Sequence, residues 1–375
     1  MTSRIRRLLT SRSASSNTSA RLRQTIVGAG IAYAGAVLGY KLLRPLLGER
    51  EGWIELADDL EPWAYAPAPA VGLVGALLGS GGLVAAGSAV MAAFAMRWGH
   101  RYLRRSPSTP GSRPTCDLTV MTFNTLAWQR EGHDLELSIR NADPDIVGLQ
   151  EIGPRCATHL IEAFAARFPY HYVTRSASSS GAAVLSKYPL RDPVAFRASA
   201  HGHWWQRMTI ETPAGPVTYL NIHTKIPYIR TTHRAKTGVR VPLEFHAERR
   251  RNEIRKLLDM LEAVDGPVIV GGDFNLTERS ADHRMLSERL RDAYRAVGSG
   301  LGNSFPRTGS FPRAFPAPFP IMRLDYVWHS AHFEPAWAYR GDGGQSDHHP
   351  IVTGLRWMPP AARSTGSVPL AASAV

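Results

Sequence analysis

The chain has 375 residues, 44% of them hydrophobic, and a formal net charge of +13. That length holds two ordinary domains or one large domain with an appendage, and the apolar content excludes a wholly disordered chain. Two cysteines, Cys116 and Cys156, exclude a disulfide-rich scaffold and a cysteine zinc cluster and leave their redox state open, while the charge favours an anionic partner without choosing among nucleic acid, phospholipid surface and phosphorylated substrate.

Residues 1–24 carry six arginines and no acidic residue and are rich in Ser and Thr, the pattern of a basic, disordered tail. Residues 25–98 read as a membrane region with two spans. The first, about 25–46, is apolar to Tyr40, and Lys41 and Arg44 could snorkel to the interface. The second, about 68–96, lies in an uncharged run that exceeds the roughly 20 residues a bilayer-crossing helix needs. Gly-Ser-Gly-Gly at 79–82 predicts a kink or break in it.

Basic flanks at 1–24 and 97–105 enclose an inter-span segment that contains most of the nearby acids. The positive-inside rule then predicts a multi-pass cell-membrane protein with both flanks, and the C-terminal region, in the cytoplasm. A third crossing or a re-entrant pair at 79–82 would reverse the side of that region.

Residues 99–115 end in a stretch rich in Pro, Ser and Gly and read as a linker. A folded domain is expected over 116–358, followed by a disordered tail, 359–375. Within the domain, 117–126 and 145–152 predict buried strands ending in Asn124 and Glu151, with a helix between them closed before Pro144. Residues 156–170 predict an amphipathic helix, followed by strands at 170–174 and 181–190. Residues 204–225 predict a hairpin whose second strand ends in His223, and 243–264 predict a helix with Leu257, Leu258 and Leu261 on one face. The run VIVGGDFNLT (268–277) predicts a strand ending in Asp273 and Asn275, and further strands are expected at 323–329 and 348–357.

Each polar strand end has a bland explanation, since Asn and Asp commonly begin turns and a lone His is more often structural than catalytic. The joint pattern is more informative. If the strands share an edge, Asn124, Glu151, His223, Asp273, Asn275, Asp325, Asp347 and His348 converge. TFNTL, IVGLQEI, GAAVLSKYPL, LNIHTK, VIVGGDFNLT, RLDYVW and SDHHPIV also occur in the order and approximate spacing of the endonuclease/exonuclease/phosphatase superfamily, which 117–357 therefore resembles. The resemblance implies an α+β, four-layer α/β/β/α sandwich of the DNase I-like kind, here preceded by transmembrane helices, and a metal-dependent phosphoric ester hydrolase with its active site at one end of the sandwich.

Phosphoester hydrolysis needs a cation to neutralise phosphoryl charge, an oriented water and help for the departing oxygen. Glu151 is a hard oxygen ligand suited to Mg²⁺, with Mn²⁺ as a substitute, and resemblance adds Asn124 and Asp347 around a single metal. Some relatives carry an acidic residue where this chain has Leu126, which argues against a second metal. Asp273 is the expected base for the attacking water, and Asn275, two positions on and so on the same face of an extended strand, the donor to a phosphoryl oxygen. Gly271 and Gly272 would let backbone approach substrate. By resemblance Asp325 and His348 form an Asp–His pair that stabilises the transition state, and His223 is a second phosphate-contacting or proton-donating histidine.

Substrate choice must come from loops. One, 224–245, carries Lys225, Arg230, Arg234, Lys236 and Arg240; another, 302–323, interleaves Phe305, Phe311, Phe315 and Phe319 with Arg307, Arg313 and Arg323. Lys225, Arg230 and Arg323 are the substrate-binding candidates, suited to a nucleic acid strand or a lipid headgroup. Membrane attachment favours a lipid-linked phosphoester or pyrophosphate over a Mg-dependent nuclease, because it raises the effective concentration of such a substrate. An inactive membrane-bound binding module is the remaining reading, disfavoured because binding alone requires neither a water-orienting aspartate nor an Asp–His pair.

Overall fold

The computed structural model describes residues 2–47, 52–105, 107, 110–126, 132–174, 181–231, 242–307 and 319–358. The chain divides into two compact units, one made of Met1–Gly48 and Leu60–His100, the other of Glu49–Asp59 and Arg101–Ala374.

In the first unit, α1 spans Thr2–Leu43. The expected disordered tail is thus the start of this helix; no Gly or Pro interrupts it before Gly28. The next helix, α2 (Gly52–Asp59), belongs to the second unit. The first unit resumes with α3 (Glu61–Ala64), α4 (Ala68–Leu77) and α5 (Gly81–Phe94), the last running through a π-helical turn, Ala95–Gly99. The expected kink is a complete reversal: Gly79 turns at φ +61°, and α5 packs back along α4. A Cβ on Gly87 would stand 2.6 Å from Gly72 N, and one on Gly75 2.7 Å from Val84 N, so glycine is what lets the two backbones touch. Ser19–Leu46 and Gly81–Tyr102 are long and apolar enough to cross a membrane, by length and composition.

The second unit, which already includes α2, resumes at Arg101 within α6 (His100–Tyr102), and the segment expected to be a linker is bonded into it. Arg113 stacks on Trp337 and Tyr339 and donates to Ala142 O, and Trp337 Nε1 donates to Pro114 O. Next come β1 (Leu118–Asn124), α7 (His133–Ala142), β2 (Ile146–Ile152), α8 (Pro154–Ala163), β3 (Tyr170–Thr174), β4 (Gly181–Ser186), β5 (Leu190–Arg197), β6 (Trp204–Thr212) and β7 (Gly215–His223). They are followed by β8 (Tyr228–Thr231), β9 (Pro242–His246), α9 (Glu248–Glu262), β10 (Val268–Asp273), α10 (Ala281–Ser287), β11 (Arg291–Asp292) and α11 (Ala293–Val297). Finally β12 (Asp325–His329), β13 (Phe333–Arg340) and β14 (Ile351–Trp357) complete the unit.

One sheet has the order β13-β14-β1-β2-β4-β3, the other β11-β12-β10-β7-β6-β5, and β8 pairs with β9 separately. Three apolar clusters fill the layers. One joins α7 and α8 to the first sheet, one lies between the sheets, and one joins the second sheet to α9 and α10, so the unit is the expected four-layer α/β/β/α sandwich. The middle layer is not purely apolar. Asn221 Nδ2 donates to Leu149 O, Ala183 O and Gln206 Oε1, while its Oδ1 accepts from Gln150 Nε2 at 2.6 Å. These amides bond one sheet to the other and fix their relative register.

Candidate active site

The parallel pairs β1/β2 and β7/β10 end at the same edge, where antiparallel β12 and β14 begin. Asp273 therefore stands opposite His223 on one neighbouring strand and Asp325 on the other. Asn124 ends β1, Glu151 lies near the end of β2 at φ +52°, and Asp347 and His348 immediately precede β14.

Asp273 is 1% exposed. Its Oδ1 accepts from Asn275 N–H at 2.9 Å and its Oδ2 from Asn124 Nδ2 at 2.9 Å, a bond that crosses from one sheet to the other. His223 Nε2 and His348 Nε2 approach the same Oδ2 to 3.5 and 3.8 Å. On its far side His348 Nδ1 is 2.8 Å from Asp325 Oδ2. Glu151 Oε1 stands 3.3 Å from Asn124 Nδ2 and 3.7 Å from His223 Nε2.

Burial pushes the Asp273 carboxyl above the ordinary carboxylate range, against the opposing charge of His348. Burial also disfavours cationic His348, but Asp325 and then Asp273 outweigh it and lift the imidazole to about 10. His223 goes the other way: burial outweighs Asp273 and lowers it to about 4. Two histidines beside one aspartate thus hold opposite charge states at neutral pH. Burial raises the Asp347 carboxyl; His348 opposes and the negative charge of Glu151 reinforces that rise.

Glu151 and Asp347, near enough for the charge of one to raise the other, offer oxygen donors of the kind a hard divalent cation takes. Asn124 Oδ1 accepts from Leu126 N–H and keeps a second lone pair, while its amide N–H groups face the carboxylates. It orients Glu151 and Asp273. Asp273, Asp325 and His348 also bring ligand atoms within 4.8 Å of one another, but a protonated imidazole is a poor ligand.

Other expectations need correction. Asn275 does not continue an extended strand: β10 stops at Asp273, Asn275 turns at φ +45°, and its Nδ2 donates to Thr224 O at 2.9 Å. Gly271 and Gly272 serve the interior, since their Cβ atoms would meet Tyr219 Oη at 2.8 Å and Ile222 O at 2.1 Å. Arg323 is no substrate ligand. Its guanidinium is buried, donating to Asp292 Oδ1 and Oδ2 and to Glu278 Oε2. Arg230 is exposed and paired with Glu244. Lys225 lies close enough for its charge to lower His223 and His203. Arg234, Lys236, Arg240, Phe311, Arg313 and Phe315 lie outside the described residues.

Sequence reasoning missed His203, which stacks on His223 with ring centroids 3.7 Å apart and lines a small cleft with Trp204, Gln150, Glu151, Gly181 and His223. It also missed Arg250, whose Nη1 donates to the Asn275 carbonyl at 2.6 Å and whose Nε donates to Asp282 at 2.8 Å. A signal for Arg250 existed: with Ile254, Leu257 and Leu261 it falls on the buried stripe of α9.

Residues 121–348 match the model of the Endonuclease/Exonuclease/phosphatase family. The uncharacterized protein YbhP of Escherichia coli (strain K12) is 28% identical over 245 residues, covering 58% of this chain and 85% of that protein. A Bacteroides vulgatus endonuclease/exonuclease/phosphatase structure aligns with a TM-score of 0.50 at 16% identity, over 65% of this chain and 100% of that one. One from Beutenbergia cavernae DSM 12333 aligns with a TM-score of 0.49 at 22% identity, over 65% and 72%.

Proposed function

Because the chain belongs to the endonuclease/exonuclease/phosphatase family, whose members are phosphoester hydrolases, we propose that it is a membrane-tethered, divalent-metal-dependent phosphoesterase acting on a lipid-linked phosphoester or pyrophosphate. One observation carries the reaction: Asp273 sits between His223 and Asp325, with His348 turned toward it and Glu151 beside His223 and Asn124. The membrane preference comes from the two apolar helical segments, since tethering beside a lipid substrate raises its effective concentration.

Hydrolysis joins a water oxygen to phosphorus and breaks the bond from phosphorus to the leaving oxygen. Asp273 accepts the proton of the attacking water; burial raises its basicity, and the Asn124 and Asn275 N–H groups hold its two oxygens. His348, kept cationic by Asp325, donates from Nε2 to a phosphoryl oxygen as negative charge grows there. Neutral His223, whose Nε2 has no hydrogen-bond partner among the described residues, can bond a phosphoryl oxygen or the water, and the leaving oxygen takes up a proton as it departs. Glu151 and Asp347 would hold the metal, which when bound supplies charge neutralisation and a more acidic water.

Full-length protein in detergent micelles with Mg²⁺ tests the reading on three substrates: a polyprenyl diphosphate, plasmid DNA and a small aryl phosphodiester. Lipid turnover without DNA nicking is the expected result. Robust DNA cleavage without lipid turnover would replace the lipid substrate with nucleic acid.

A further inference from the structure

Residues 52–59 lie between the two apolar segments in the chain, yet they are built into the catalytic unit. Glu55, at 8% exposure, accepts from the buried guanidinium of Arg250 and from Arg251 Nη2 at 3.3 Å. Asp59 accepts from Thr277 Oγ1, and Asp58 lies 3.9 Å from Arg279 Nη2. At the start of α2, a Cβ on Gly52 would fall 1.9 Å from Phe245 O, a contact only glycine permits. These partners surround the catalytic loop: Arg250 also holds the Asn275 carbonyl, and Thr277 follows two residues later.

A helix whose side chains are buried in a domain cannot be separated from it by the ~30 Å hydrocarbon core of a bilayer. The chain must therefore leave the domain's side after Asp59 and return to that side by Arg101, where the catalytic unit resumes. The antiparallel pairing of α4 and α5 allows this: a hairpin with its uncharged Leu78-Gly79-Ser80 turn at the far end begins and ends on one side and makes no net crossing. Only α1 then makes a net crossing. The six-arginine N-terminal tail and the catalytic domain consequently lie on opposite sides.

The basic stretch at 97–105, which made a cytoplasmic domain the expectation, is largely consumed by folded structure. Arg97 pairs with Glu61 at 3.4 Å, Arg101 is 5% exposed and donates to Glu278 at 2.8 Å, and Arg104 donates to Arg295 O at 2.7 Å. Positive-inside bias follows the number of Lys and Arg residues beside a span, and residues 1–24 carry six arginines and no acid.

Resting on the membrane-tethered reading above, we propose that the catalytic domain is extracytoplasmic, on the same side as residues 52–59, and acts on phosphoester headgroups exposed at the outer face of the membrane. Nucleic acid and nucleotides of the cytoplasm are then outside its reach.

Full-length protein carrying Cys116→Ser and Cys156→Ala, with a single cysteine introduced by Ser3→Cys, Ala57→Cys or Ala214→Cys, is treated in spheroplasts with a membrane-impermeant maleimide. Ala57 and Ala214 are both exposed, in α2 and in the β6–β7 turn. The proposal predicts labelling of the Ala57→Cys and Ala214→Cys proteins in intact spheroplasts and of Ser3→Cys only after permeabilisation. Labelling of Ala57→Cys without Ala214→Cys, or protection of both until permeabilisation, overturns it. Should a variant not accumulate, a C-terminal alkaline phosphatase fusion to the unmodified chain reads the domain's side instead: active phosphatase supports the proposal and inactive phosphatase of full length contradicts it. A carbonate wash separates the two levels, because release of the chain from membranes removes the tethering itself and the sidedness with it.

Discussion

Asn124 Nδ2 donates to Asp273 Oδ2 at 2.9 Å, joining the end of a strand in one sheet to the end of a strand in the other. The same amide is 3.3 Å from Glu151 Oε1, so one side chain sets the spacing of the proposed base and the proposed metal-binding carboxylate. Asn124→Ala is predicted to lower kcat or metal affinity by about 10–100-fold, the usual loss when an orienting partner of a site is removed. Mg²⁺ titration of activity, with circular dichroism as the folding control, reads both.

The Asp325–His348 pair makes a sharper prediction. Asp325→Asn keeps the shape but removes the largest of the charges that lift His348, so the pKa of the imidazole falls. Turnover should fall about 10²–10⁴-fold, the range for a mispositioned or wrongly protonated acid–base group. Steady-state kinetics check this, and unchanged kcat would remove His348 from the mechanism.

Arg250 offers a test of stability. Its guanidinium is fully buried among Asp282, Glu55 and the Asn275 carbonyl. Arg250→Met leaves Glu55 and Asp282 with Arg251 alone and removes the donor to the Asn275 carbonyl, and is predicted to cost about 1.5–3 kcal/mol, the range for hydrogen bonds to charged groups. Glu55→Gln, which retains a hydrogen-bonding oxygen, should cost less. Urea unfolding of the full chain in detergent gives both values.

Glu278 supplies a pH dependence. Burial opposes its ionisation, but Arg101 and Arg323 outweigh burial and hold it from the ordinary 4.5 down to about 2. A carboxyl with a depressed folded pKa contributes stability that is present above its unfolded value and lost as pH falls through the folded one. The thermal midpoint should therefore drop between about pH 4.5 and 2, and Glu278→Gln should flatten that drop while lowering the midpoint at pH 7.

Most of the sandwich was legible because its buried strands are short apolar runs with polar termini, as in 118–124 and 268–273, and because those termini share an edge. The strands β5 and β13 were not, since each carries a proline and a register shift, between Arg191 and Val194 and between Pro335 and Trp337, that break the alternation. Leu243–His246 carried a helical pattern but forms β9, its register fixed by pairing with Tyr228–Thr231. Asn275 and Arg323 misled for a common reason: residue type suggests chemistry, but a left-handed turn and two buried carboxylates decide where those side chains point. The stacking of His203 on His223 depends on how β6 enters the sheet, which no local spacing encodes.

The convergence of Asp273, His348 and Glu151 on one metal-assisted hydrolysis is tested most directly by initial rates on an aryl phosphodiester for wild-type and Asp273→Asn full-length protein, each with Mg²⁺, with EDTA, and with Mg²⁺ restored. Wild-type turnover should vanish in EDTA and return with Mg²⁺, and the folded Asp273→Asn protein should be inactive throughout. Hydrolysis that persists in EDTA, or survives Asp273→Asn, would contradict the account.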